Sequence, residues 1–178
     1  MAKMIRQDDV KYLRGKCMQG KRVLLRETLL QDEAAKIADI LPDITAWTSW
    51  MKSTTHIISS TQNSLDQGDE FELQRIVKGA LVQEKWTVKG TRSSDAEPLF
   101  YELEISLDGQ TRLGKNVGGA INSLQMTITI LSDKDQSGIE IYIDYSLNKI
   151  YSLASRWVRT SVESMAKIWM KDIIAILH

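Results

Sequence analysis

The chain has 178 residues, of which 43% are hydrophobic and 26% charged, with only 2 prolines, a composition that excludes a disordered or low-complexity protein. Lys plus Arg and Asp plus Glu each number 23, so the formal net charge is +0, which argues against nucleic acid as a partner because phosphate binding draws on a surplus of cations. No window approaches the roughly 18–20 uninterrupted apolar residues of a membrane span.

Residues 1–20 carry Arg6, Asp8, Asp9, Lys11, Arg14 and Lys16 among scattered apolar positions and read as an N-terminal arm before a domain over 21–178. These charges stand where a signal peptide needs an apolar run. Cys17 is the one cysteine, so an intrachain disulfide is excluded, and a cytoplasmic location is expected. The stretch from Gly15 to Lys21 imitates a phosphate-binding loop, but Arg22 stands where Ser or Thr would hold magnesium, and a strand-like run follows instead of a helix.

Lys21–Leu30, rich in Val, Leu and Thr, predicts a first strand. Ala35, Ile37, Ala38 and Leu41 then recur at helical spacing, with Asp32 as the expected N-cap and Pro42 as the stop. Asp43 caps a second short helix, whose Ile44, Trp47, Trp50 and Met51 share one face.

Six strands are expected next, at about His56–Gln62, Asp69–Val77, Ala80–Lys89, Leu99–Leu107, Ile121–Leu131 and Gly138–Ser146. The short turn-forming clusters between them, Lys78-Gly79 and Asp108-Gly109 included, suit antiparallel neighbours. Alternation marks one covered face: Leu99, Tyr101, Leu103, Ile105 and Leu107 oppose Glu102 and Glu104, and the last two strands repeat the pattern. Gly114, Gly118 and Gly119 lack the spacing of a dinucleotide-binding turn and predict a loop. From Lys149 to Ile176 the chain is free of Gly and Pro, which predicts a helix roughly 42 Å long. Its stripe of Ile150, Leu153, Trp157, Val158, Val162, Met165, Ile168, Trp169, Ile173 and Ile176 requires an apolar partner.

The order strand, two short helices, six strands, long helix resembles the START-like (SRPBCC) superfamily of polyketide cyclase/dehydrase and birch-pollen-allergen-like helix-grip proteins. The stretches that carry the likeness are LLQDEAAKIADILPDITAWTSWM, GDEFELQRIVKG and ALVQEKWTVKG, within a match from about Lys21 to Ile176. Ile37 or Ala38 stands where such families often carry a bulky aromatic. The resemblance implies an α+β helix-grip fold, a seven-stranded curved antiparallel sheet around a long C-terminal helix, with a cavity for a lipid, fatty acid, polyketide or aromatic compound. It implies no cofactor and no shared catalytic residues.

On that geometry Trp47, Trp50, Met51, Phe71, Trp86, Tyr101, Met126, Trp157, Met165 and Trp169 converge on one volume, as ligand contacts or as plain core. Arg75 shares a face with Phe71, Leu73 and Val77, and Glu84 with Val82, Trp86 and Val88. Two accounts fit these charges. Either they meet at the pocket wall, with Arg75 offered to a ligand carboxylate or hydroxyl, or a bulge flips the register and puts both in solvent. A cyclase or dehydratase would draw its polar groups from Tyr101, Tyr142, Glu84 and Arg75, and a protein-interaction module is the third reading. His56 and His178 are distant in sequence, and with Cys17 they form no metal-ligand cluster.

Overall fold

The computed structural model describes residues 21–77, 79–94, 99–117, 119–133 and 136–178; the expected N-terminal arm, residues 1–20, lies outside them. The chain runs β1 (Lys21–Thr28), α1 (Gln31–Ile40), a 3-10 turn (Ile44–Ala46), α2 (Trp47–Trp50), then β2 (Thr54–Ser60), β3 (Glu70–Val77), β4 (Ala80–Ser94) and β5 (Leu99–Arg112). It continues through β6 (Lys115–Val117), β7 (Ile121–Ser132), β8 (Ser137–Leu147), a 3-10 segment (Lys149–Ala154), α3 (Ser155–Ile174) and a final 3-10 turn (Ala175–Leu177).

Seven strands form one antiparallel path in the order β1-β8-β7-β5-β4-β3-β2, and short β6 folds back on the end of β5. The inward face follows the alternation read in the sequence. Tyr101, Leu103 and Ile105 of β5, Leu124 to Ile130 at every second position of β7, and Ile139 to Tyr145 at every second position of β8 are buried.

Bulges bend the sheet. Lys85 pairs with Gly109 but Trp86 with Leu107, so Asp108 is an extra residue in β5; Lys89 is likewise extra in β4, between Val88 and Gly90. Asp108-Gly109, expected to reverse the chain, therefore lies inside a longer strand. The reversal comes at Leu113-Gly114, where φ is +52° and +72° between the paired Arg112 and Lys115, the two-residue turn whose twist suits a hairpin.

At the N-terminal helices, α1 starts one residue after Leu30, whose N–H donates to the Glu33 carboxylate at 2.8 Å; Leu30, not Asp32, is the N-cap. Asp43 caps the next turn as expected, accepting from the Thr45 N–H at 2.9 Å.

The C-terminal helix lies across β1 and β8, and α1 covers β7 and β8 beside the last turn of the chain. Val158, Val162, Ala166, Trp169 and Ile173 form the buried stripe of α3. Each large member contributes roughly 1.5–3 kcal/mol by leaving water.

The start of this element departs from the sequence reading. The α-helix begins at Ser155, and the preceding 3-10 segment contains a non-helical Tyr151 at φ −100°, ψ 16°. The kink turns Ile150 and Leu153 away from the sheet, while Trp157 lies on the face of α3 opposite its buried stripe, and all three are exposed. No helix among the described residues is long and apolar enough to cross a membrane.

Candidate functional site: a pocket between α3 and the sheet

Alternation on β3 sends Phe71, Leu73 and Arg75 inward, and on β4 it sends Val82, Glu84, Trp86 and Val88 inward. The β3–β4 register runs unbroken from Glu70↔Thr87 to Val77↔Ala80, and Gly79 at φ +75° serves the tight reversal between them. With no bulge to flip the faces, both charges are interior, at 2% exposure for Arg75 and 1% for Glu84.

They are held by a buried polar group that reaches α3. Arg75 Nη1 lies 3.5 Å from Glu84 Oε2, and Nη2 lies 3.8 Å from Asp172 Oδ2. Ser53, just before β2, accepts from Arg75 Nε at 3.2 Å and Nη2 at 2.7 Å, and passes its own hydroxyl proton toward Asp172. Glu84 accepts from Trp86 Nε1 at 3.2 Å and from Gln110 Nε2 at 2.9 Å. The Arg75 guanidinium also lies 4.9 Å from the centre of the Trp169 ring, close enough for a cation–π contact.

Beside this group opens a pocket of about 190 Å³. Its walls are Leu107 from β5, Ile121 and Leu124 from β7, and Val162, Met165 and Ile168 from α3; Ile76 and Val77 close the β3 end. Arg75, Glu84 and Gln110 supply its polar lining, together with Ser161 and Ser164 of the helix.

Of the residues named from sequence, Arg75, Glu84 and Met165 line this pocket. Trp47, Trp50, Met51, Phe71, Trp86, Tyr101, Met126 and Trp169 are buried in the continuous core. The tryptophans are packed edge to face: Trp47 meets Phe71 at 5.4 Å and Trp169 at 5.6 Å between ring centres, and Trp86 meets Trp169 at 5.8 Å. This cluster fills the volume between α2 and α3. Trp157 does not join it, being 68% exposed, which corrects the expected convergence; within α3 it falls off the stripe of Val158, Val162 and Trp169 and faces outward.

The Tyr101 hydroxyl is buried without a hydrogen-bond partner, and burial pushes it up to about 12; it does not line the pocket. Tyr142 pairs in register with Leu24 and Thr127 on the outward side of β8, beside Asp144.

Three members of the polar group went unread in the sequence. Asp172 follows Trp169 by three residues and sits on the buried stripe of α3, so a charge at an inward helical position was the available signal. Gln110 was hidden by ending β5 at Asp108-Gly109. Ser53, outside any regular element, gave no signal. Among the described residues no three His, Cys, Asp or Glu side chains are grouped to hold a metal ion.

No family model matches the sequence, and no curated protein matches it either. Solved structures match in shape. A hypothetical protein from Helicobacter pylori superposes with a TM-score of 0.60 at 15% identity, over 98% of this chain and 96% of that one. The Zhui aromatase/cyclase from Streptomyces sp. R1128 gives 0.57 at 10% identity, over 88% and 92%. A START superfamily protein from Mycobacterium smegmatis gives 0.53 at 12% identity, over 89% and 99%. With the curved antiparallel sheet, the two short helices after β1 and the long terminal helix, these likenesses establish that the chain has the START-like helix-grip fold.

Proposed function

We propose that the protein binds a small amphiphilic molecule in the pocket between α3 and the sheet. The observation that carries this reading is the combination of apolar walls from β5, β7 and α3 with a hydrogen-bonded polar lining of buried Arg75 and Glu84 and half-buried Gln110. Ligand sites commonly take that form, with mainly apolar walls and a few placed polar groups.

Size narrows the ligand. A volume of about 190 Å³ is below the roughly 300–1,000 Å³ of drug-sized pockets and near the roughly 150 Å³ that accommodates benzene. One aromatic ring or a short alkyl chain with a single polar head fits this space. A sterol or fused polyketide would require the Trp47–Phe71–Trp169 cluster to open.

Benzyl alcohol titrated calorimetrically into the full chain tests the reading. Saturable one-to-one binding is expected, lost in Met165→Trp, whose larger side chain fills the space while the protein stays folded. Absence of binding, or equal binding to the filled variant, contradicts it. A polyketide cyclase or dehydratase using the same space would have Glu84 and Arg75 as its polar groups, because Tyr101 and Tyr142 stand outside the lining. A cytoplasmic location accords with this reading.

The exposed Ile150, Leu153 and Trp157 favour a second reading, a protein-interaction module. Binding of a partner protein that is lost in Leu153→Ser, without change in benzyl alcohol affinity, would assign that role to this surface.

A further inference from the structure

The buried group formed by the polar end of the pocket and Asp172 behind it carries more negative than positive formal charge. Arg75, Glu84 and Asp172 are all at least nine-tenths buried, and one guanidinium stands between two carboxylates. Three of its five N–H donors are engaged, one each on Nε and Nη2 by Ser53 and one on Nη1 by Glu84, and its charge is set against two carboxylates. Among the described residues Arg75 is also the only cation on the pocket lining.

Acceptors dominate what remains. An ionised carboxylate only accepts, so Gln110 must present its NH₂ to Glu84, as it does at 2.9 Å, and keeps its carbonyl oxygen for another donor. A ligand carboxylate reaching this end would face Glu84 with the arginine charge already matched by Glu84 and Asp172, and like charges in a partly dry site repel strongly. An ammonium group would balance the surplus carboxylate and offer three donors to an acceptor-rich lining.

Resting on the reading of the pocket as a ligand site, we infer that it selects molecules bearing a protonated amine, and secondarily a hydroxyl, and rejects carboxylates. This reverses the sequence expectation that Arg75 is offered to a ligand carboxylate. The ligand class is therefore a small aryl- or alkylamine whose head meets Glu84 and Gln110 and whose body lies among Leu107, Leu124 and Met165.

The test is calorimetric titration of the full chain, near neutral pH and at low salt, with benzylamine, benzyl alcohol and benzoate, three one-ring probes that differ in head group. Benzylamine is expected to bind at least about tenfold more tightly than benzoate, with benzyl alcohol between them. Glu84→Gln should lower the amine-to-acid affinity ratio about tenfold. Asp172→Asn removes a negative charge without touching the lining and keeps an acceptor for Ser53; it should lower the same ratio while holding the affinity for benzyl alcohol. Circular dichroism identifies which variants fold, and either folded variant suffices. Benzoate binding as tightly as benzylamine overturns the inference and leaves the pocket reading standing. A ratio unchanged in a folded variant also overturns it, and failure of all three probes to bind overturns both.

Discussion

Arg75 and Glu84 sit diagonally across the β3–β4 hairpin: Arg75 is in register with Val82 and Glu84 with Leu73, which brings Nη1 to 3.5 Å from Oε2. Diagonal neighbours on one face lie within reach only of long side chains, and these two are long enough. The pair joins the sheet to α3 through Asp172, so the hairpin and the terminal helix share one buried electrostatic group.

Replacing the central member should cost most. Arg75→Met leaves Glu84 and Asp172 buried without their cation and is expected to lower unfolding free energy by about 3–5 kcal/mol. Glu84→Gln keeps a hydrogen-bonding side chain and leaves Arg75 with Asp172, so its cost should be nearer 1–3 kcal/mol, roughly. Adding Asp172→Asn to Arg75→Met should recover part of the loss. Urea unfolding of the three variants checks this order, and an Arg75→Met protein as stable as the parent would refute the coupling.

Alkaline pH should weaken the fold through Tyr101. Its hydroxyl ionises near 10.0 in an unfolded chain and is pushed up to about 12 by burial in the fold. Below 10 both states hold the proton and its full contribution is present; from 10 to about 12 the unfolded state loses the proton first, so stability falls as pH rises. The loss from this residue is about 2–3 kcal/mol. Burial raises Tyr145 as well, with nearby Arg159 opposing the shift. Tyr101→Phe should flatten the decline and, by removing a buried hydroxyl without a partner, gain about 1 kcal/mol at neutral pH. Denaturant titrations across this range check both effects, and an unaltered slope in Tyr101→Phe would contradict the assignment.

Edge strand β1 depends on Gly138 of β8. A Cβ there would stand 2.6 Å from the backbone carbonyl oxygen of Glu27, a neighbour with no side-chain freedom to retreat. Gly138→Ala should therefore cost about 1–3 kcal/mol and speed amide exchange along Lys21–Thr28. Unchanged exchange there would show that β1 is not held as described.

Tryptophan fluorescence reads the packing around α3. Trp47, Trp50, Trp86 and Trp169 are buried and Trp157 is exposed. Iodide should quench one red-shifted component, and Trp157→Phe should remove it. Quenching that persists in that variant would mean that the aromatic cluster is open to solvent.

The architecture was legible because period and punctuation agreed over long stretches. Leu103, Ile105, Ile128 and Ile141 alternate with polar residues and are buried, and Pro42 ends α1 where it must. Asp108-Gly109 misled because the same dipeptide serves a bulge or a turn, and which one forms depends on the partner strand. The segment before α3 misled because Ile150 and Leu153 have helical spacing, while the kink at Tyr151 rotates them off the core, and Trp157 falls on the outer face of α3 itself.

At the site, Arg75 and Glu84 could be placed because strand alternation fixes a face, whereas their engagement by Ser53, Gln110 and Asp172 depends on contacts between segments far apart in sequence. Aromatic and Met side chains carry no such mark. Trp86 in the core and Met165 on the pocket wall read alike until the neighbouring volume is known.

The most direct check on the pocket is a methyl-resolved NMR titration with benzyl alcohol. Shifts should concentrate on Leu107, Ile121, Leu124, Met165 and Ile168, sparing Met51 and Met126 in the core and the exposed Ile150 and Leu153. Shifts confined to the exposed methyls, or none at saturating concentration, would contradict the placement of a ligand between α3 and the sheet.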